Sequence, residues 1–156
     1  MKIWILQTEY QKMLEHAKKE FPLECCGLMA GFKKPKGYVI TNIYEMTNME
    51  QSSTKYSLDP QEQFSVIKDI RNHGLELVGN YHSHPFTGCR LSDEDFRLAY
   101  DNDLVYAIIS LKGELPVLKF FLIKENLKNA SQELNVQLLV SKDQVINSNT
   151  TDEGGL

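Results

Sequence analysis

Apolar residues recur along this chain with two periods, every second residue and every third to fourth, and the succession of the two predicts a mixed α/β protein. Lys2 to Leu6 reads as a short strand, and Thr8 as the cap of a helix whose Tyr10, Met13, Leu14 and Ala17 form one apolar stripe, ended by Pro22. Strands follow at Cys26 to Phe32 and Tyr38 to Met46. The turn-rich Lys33 to Gly37 joins them, so the pair reads as a hairpin. Thr47 to Thr54 is a polar loop, and Lys55 to Leu58 a short strand leading into a strongly signalled helix. Asp59 caps that helix, Pro60 starts it and Glu62 closes a capping box. Phe64, Ile67 and Ile70 form its inward face, and Gly74 stops it.

The chain then enters a strand, Leu75 to His84, by a crossover typical of βαβ units, and a helix follows at Asp93 to Tyr100. Two apolar strands, Leu104 to Leu111 and Leu115 to Lys124, turn around Lys112-Gly113-Glu114 and complete the core. The expected fold class is α/β, a mixed sheet with helices on both faces. Residues 1–125 are expected to form one catalytic domain, with 126–140 a peripheral extension holding one strand, Glu133 to Val140, and 141–156 a polar, mobile tail. At 156 residues the chain is long enough to bury a sizeable core.

The chemistry concentrates in the Leu75 to His84 strand. Side chains alternate between faces, so His82 and His84 point the same way. Two imidazoles so placed can grip one divalent ion, and a carboxylate from the next element completes a three-ligand set that leaves a position for water. Asp95 is the natural third ligand, with Cys89 as its rival. Ser92 and Asp95 also fit a plain helix start, Ser92 as N-cap and Asp95 three residues on. That bland account leaves unexplained two histidines on one face immediately before Pro85. A site of two histidines, an aspartate and a water suits zinc and also other first-row ions.

His82-Ser-His-Pro85, six residues, then Ser92-x-x-Asp95 resembles the signature of the JAMM (MPN+) metalloproteases, H-[ST]-H-P followed by S-x-x-D. An upstream segment, Pro22-Leu-Glu24-Cys-Cys26-Gly-Leu28, resembles the family's glutamate motif in the expected order. The resemblance runs over residues 8 to 124 and is closest to compact, prokaryotic-type stand-alone members. Phe86 to Leu91 looks more like the corresponding loop of proteasome-lid and signalosome relatives, with Arg90 where those carry tryptophan. The resemblance implies the MPN/JAB, cytidine-deaminase-like architecture. It implies one zinc ion per chain on His82, His84 and Asp95, with Glu24 as acid and base and Ser92 as oxyanion donor. The implied activity is hydrolysis of peptide or isopeptide bonds at the C-terminus of ubiquitin-like or sulfur-carrier protein adducts, whose tails end in diglycine. Small prokaryotic relatives include enzymes that free an amino acid from a sulfur carrier.

Composition narrows the alternatives. A net charge of −4 gives no reason to expect nucleic acid, and Lys33-Lys34-Pro-Lys36 reads as a solvated turn. No apolar run is long enough for a bilayer and no signal peptide is recognisable, so a cytoplasmic location is expected, with the oligomeric state open. The three cysteines, with Cys25 and Cys26 adjacent, fit a reducing compartment, although a bridge from Cys89 to either stays open. A zinc deaminase would need His-x-Glu and Pro-Cys-x-x-Cys, and neither pattern is present. A non-catalytic scaffold of the same fold would lack some of the ligands, whereas every expected position is filled here. The tail Gly154-Gly155-Leu156 resembles ubiquitin-like ends but reads as an ordinary flexible terminus.

Overall fold

The computed structural model describes residues 1–99, 101–125 and 127–144. Seven strands and three helices follow one another as β1 (Lys2–Leu6), α1 (Gln7–Glu20), β2 (Cys26–Lys34), β3 (Gly37–Met46), α2 (Pro60–Asn72), β4 (Glu76–His84), α3 (Asp93–Leu98), β5 (Val105–Ser110), β6 (Val117–Ile123) and β7 (Ser131–Leu139). The sheet is mixed, as expected, and it closes on itself in the order β1-β3-β2-β4-β5-β6-β7. Closure runs through β7, which pairs its first half, Ser131 to Leu134, with β6 and its second half, Asn135 to Leu139, with β1. The expected C-terminal strand therefore forms and joins the two ends of the sheet. Such a pairing, more than a hundred residues apart, leaves no trace in local periodicity.

Two crossovers place the site. β3 and β4 both pair antiparallel with β2, so α2 carries the chain over one intervening strand. β4 and β5 are parallel neighbours, so α3 lies on the connection that leaves the C-terminal end of β4. Helices cover both faces of the sheet. α1 contributes Met13 and Ala17 to the main core with Ile3, Ile5, Met29 and Phe120. α2 packs Val66 and Ile67 against Cys26 and Leu28 on the opposite side of β2, and α3 sets Phe96 against Ile108 and Phe121. Alternation along β2 explains the split, since Cys25 and Met29 belong to the main core and Cys26 and Leu28 to the outer cluster. Each large aliphatic side chain buried this way contributes about 1.5–3 kcal/mol of transfer free energy.

Local expectations fail in instructive places. α1 starts at Gln7 directly out of β1, with Leu6 at the N-cap and no side-chain cap, so Thr8 lies within the first turn and does not cap it. Asp59 caps α2 as expected, by accepting from the Gln61 amide, and Pro60 is its first residue. Glu62 closes no box, because its carboxylate reaches across to Thr47, accepting from the amide at 2.7 Å and from the hydroxyl at 2.9 Å. Phe64 is 71 % exposed, on the outer side of α2, while Ile70 is buried. Lys55 to Leu58 forms no strand, only a single bridge between Leu58 and Asn48. Gly74, at φ +70°, supplies the left-handed residue that ends α2. Gly27 is required by a close approach, since a Cβ there would lie 2.3 Å from the Tyr81 ring. Tyr100 and residues 145–156, including the Gly154-Gly155-Leu156 end, lie outside the described residues. No helix among the described residues is long and apolar enough to cross a membrane.

Candidate metal centre

β4 ends in Tyr81-His-Ser-His84, and its alternation does what the sequence requires. Tyr81 goes into the main core, whereas His82 and His84 turn together to the other face. Their Nε2 atoms stand 3.1 Å apart. α3 begins immediately beyond, on a full capping box in which Ser92 Oγ accepts from the Asp95 amide at 3.1 Å and Asp95 Oδ2 accepts from the Ser92 amide at 2.8 Å. That box aims the carboxylate back at the strand. Asp95 Oδ1 lies 3.1 Å from His82 Nε2, and Oδ2 lies 3.1 Å from His84 Nε2.

The protonation pattern is constrained. His84 Nδ1 is 3.0 Å from the Gly88 carbonyl, which can only accept, so Nδ1 carries a hydrogen and Nε2 is turned to the cluster. Two ring nitrogens and a carboxylate this close are stable only around a positive charge, which means a proton or a metal ion. Burial alone would raise the Asp95 carboxyl, but the His82 and His84 side chains hold it well below the usual carboxylate range. Burial pushes His82 down; for His84 burial acts the same way but is outweighed by Asp95 and the Gly88 carbonyl, which raise it. Two nitrogens bound to one zinc ion at about 2.1 Å in tetrahedral geometry are separated by roughly 3.4 Å, so the donor set fits such an ion. His84 also has the backbone hydrogen bond from its far nitrogen that orients metal-binding imidazoles. His82 does not, since its Nδ1 is buried with no hydrogen-bond partner among the described residues. Its ring is held by stacking on Tyr56, centroids 4.5 Å apart and planes 22° apart.

Glu24 reaches the cluster from the segment that leads into β2. Cys26 pairs with His82 across the sheet, the Ser83 amide donates to the Cys25 carbonyl at 3.0 Å, and the Cys25 amide donates to Ser83 Oγ at 2.7 Å. These bonds fix the residue before Cys25 beside the end of β4. Donor atoms of Glu24, His82 and His84 all lie within 4.8 Å of one another. Glu24 is 4 % exposed, and burial pushes its carboxyl up to about 7 against the pull of His84.

Sequence reasoning set the polar loop Thr47 to Thr54 beside the site but missed the bonds by which it holds this arrangement. The Glu24 amide donates to the Ser52 carbonyl at 2.9 Å, and the Glu24 carbonyl accepts from Asn48 Nδ2 at 3.0 Å. The same Asn48 amide donates to the Lys55 carbonyl, while its Oδ1 accepts from the Glu50 and Ser57 amides. One side chain thus organises the loop that supplies Tyr56 to His82. An asparagine followed by an aromatic, Tyr56, within a polar segment was the available signal. Cys89, the rival ligand, faces elsewhere, its thiol donating to the Ile108 carbonyl at 3.1 Å. All three cysteines are free, which closes the question of a bridge from Cys89.

Residues 7–124 match the family model described as prokaryotic homologs of the JAB domain. The chain belongs to this JAB family. The JAB relatives include the CysO-cysteine peptidase of Mycobacterium tuberculosis, 34 % identical over 103 residues that span 64 % of this chain and 67 % of that protein. The desampylase of Haloferax volcanii is 32 % identical over 108 residues, 66 % of this chain and 76 % of that protein. The solution structure of a protein from Desulfitobacterium hafniense superposes with a TM-score of 0.81 at 38 % identity, covering 91 % of this chain and 96 % of that one. The chain is thus a JAB protein with relatives named as a peptidase and a desampylase.

Proposed function

We propose that this chain is a zinc-dependent hydrolase that cleaves peptide or isopeptide bonds at the diglycine-tailed C-terminus of ubiquitin-like or sulfur-carrier protein adducts. In this reading His82, His84 and Asp95 hold the metal, Glu24 moves the proton and Ser92 meets the oxyanion. The observation that supports it most is the convergence of the two Nε2 atoms and the Asp95 carboxylate at 3.1 Å, with a buried Glu24 alongside. Two relatives named for a CysO-cysteine peptidase and a desampylase support the choice of substrate class.

A zinc ion bound there would supply a water acidified to a pKa of about 7 and a Lewis acid for the substrate carbonyl. The protein's own groups do the rest. Glu24, raised to about 7 by burial, is matched to take a proton from the attacking water and pass it to the leaving amine. Ser92 Oγ uses a lone pair in the helix cap, so its O–H hydrogen is available to donate to the developing oxyanion. Cap and oxyanion donor are therefore compatible in one hydroxyl.

The test is metal content by elemental mass spectrometry on wild type, His82→Ala and Asp95→Asn, followed by hydrolysis of diglycine-tailed carrier adducts. Zinc in the wild type that is lost in the variants, with hydrolysis that needs zinc, is the expected result. A folded wild type that takes up no zinc would overturn the reading in favour of a binding scaffold.

A further inference from the structure

One cavity, of about 550 Å³, carries Arg90 and Lys112 against Asp93. Another, of about 360 Å³, is lined by the cluster's neighbour Glu24 and walled by His16 and Glu20 from the end of α1 and by Glu45 from the end of β3. Lys19 lies 3.3 Å from Glu45 but is 63 % exposed, so it offsets that carboxylate only in part. His16 is buried against Tyr81, its Nδ1 2.8 Å from the phenol oxygen, and burial holds it below the usual histidine range. It adds no positive charge at neutral pH.

Glu24 connects this cavity to the chemistry. Glu24 is a buried residue that lines the cavity, and no described residue donates a hydrogen bond to its carboxyl group. A group that hands a proton to a leaving amine must come within hydrogen-bond reach of it, about 3 Å. Whatever is attached to that amine then lies on the Glu24 side of the cluster.

We infer that the Glu24-side cavity is the leaving-group subsite, and that it selects leaving groups with an additional positive charge, such as a lysine-like ammonium, over those with a carboxylate beside the scissile amide. The leaving-group role rests on the hydrolase reading; the cavity's preference for cations does not. The attraction comes from Glu20 and Glu45, which line one concave space together, where charges are screened less than at an open surface.

The experiment has two arms. In the first, lysinamide, norleucinamide and glutamate are titrated into the protein and followed by NMR. Lysinamide is expected to shift His16, Glu45 and Asn48 resonances with about tenfold higher affinity than norleucinamide, and glutamate to leave them unmoved. Glu20→Gln with Glu45→Gln should erase the difference. Added salt should weaken it in the wild type, a check that needs no variant. Equal affinities, or shifts confined to the Arg90 and Lys112 cavity, would overturn the inference. In the second arm, peptides ending in Gly-Gly-lysinamide and Gly-Gly-norleucinamide are compared as substrates of the zinc-loaded protein. Hydrolysis without a preference for lysinamide would sink the inference and leave the hydrolase standing. Selective binding of lysinamide with no hydrolysis of either peptide would sink the hydrolase reading, and the leaving-group role with it, and leave the cavity's preference for cations standing.

Discussion

At the start of α2, Asp59 accepts a hydrogen bond from the Gln61 amide at 3.0 Å, and the contact stays within the helix. At the start of α3, Ser92 accepts from the Asp95 amide, but the carboxylate that returns the bond also faces His82 and His84 at 3.1 Å. The capping chemistry is shared and the surroundings are not. Asp59 satisfies an orphan donor at a solvated helix end. Asp95 does the same while standing between two imidazoles, where its charge is stabilised far beyond what a cap needs. A helix of six residues is too short to be stable alone, so α3 exists because its first turn is fixed from outside. The comparison teaches that a local motif becomes a site when tertiary structure brings a second set of partners to the same atoms.

Substitutions can break this comparison, and the largest effects belong to α3 and its neighbours. Asp95→Asn keeps an amide oxygen that accepts from the Ser92 amide, so the helix start should survive while the charge is lost. Bound zinc should disappear by elemental mass spectrometry while circular dichroism shows the chain still folded. Retained zinc would remove Asp95 from the ligand set and make the two helix starts equivalent.

Glu24→Gln sharpens the other side of the cluster. It should keep zinc and lower the rate of adduct hydrolysis by at least about 10²-fold, because the amide cannot carry the proton. Ser92→Ala should lose both roles at once, about 10²-fold in rate and about 1 kcal/mol in stability. Ser92→Gly separates them, restoring the cap to within a few tenths of a kcal/mol without restoring the rate. The smallest effect is at α2. Asp59→Ala should cost about 1 kcal/mol in denaturant unfolding and leave zinc content and turnover alone. A loss of zinc in that variant would mean that the two starts are coupled.

Much of the site was legible because it is local. The shared face of His82 and His84 follows from strand alternation, and the placement of Asp95 from the three-residue step of a helix start. Glu24 was legible only through family resemblance, since its position beside the histidines depends on β2 pairing with β4 across 56 residues, Cys26 opposite His82. Ser83, which reads in the sequence as a mere spacer between two histidines, ties the two strands together through its hydroxyl and its amide. Glu62 illustrates the opposite error. Its spacing from Asp59 suits a capping box, but the chain folds Thr47 within 2.7 Å of its carboxylate, and that partner wins. Phe64 was assigned inward on apolarity alone, yet α2 presents Val66, Ile67 and Ile70 to the sheet and leaves Phe64 outside.

The sequence by itself determined the order of elements, the mixed α/β class and the direction in which the two histidines point, because each depends on neighbours within a turn or a strand. Only the tertiary structure decided that the sheet closes through β1 and β7, that Tyr56 and Asn48 brace the site, and that Glu24 stands between the cluster and an acidic cavity. Those features are set by contacts between residues far apart in the chain. Such contacts form where burial and hydrogen-bond satisfaction of the whole molecule require them, and no window of the sequence carries that information.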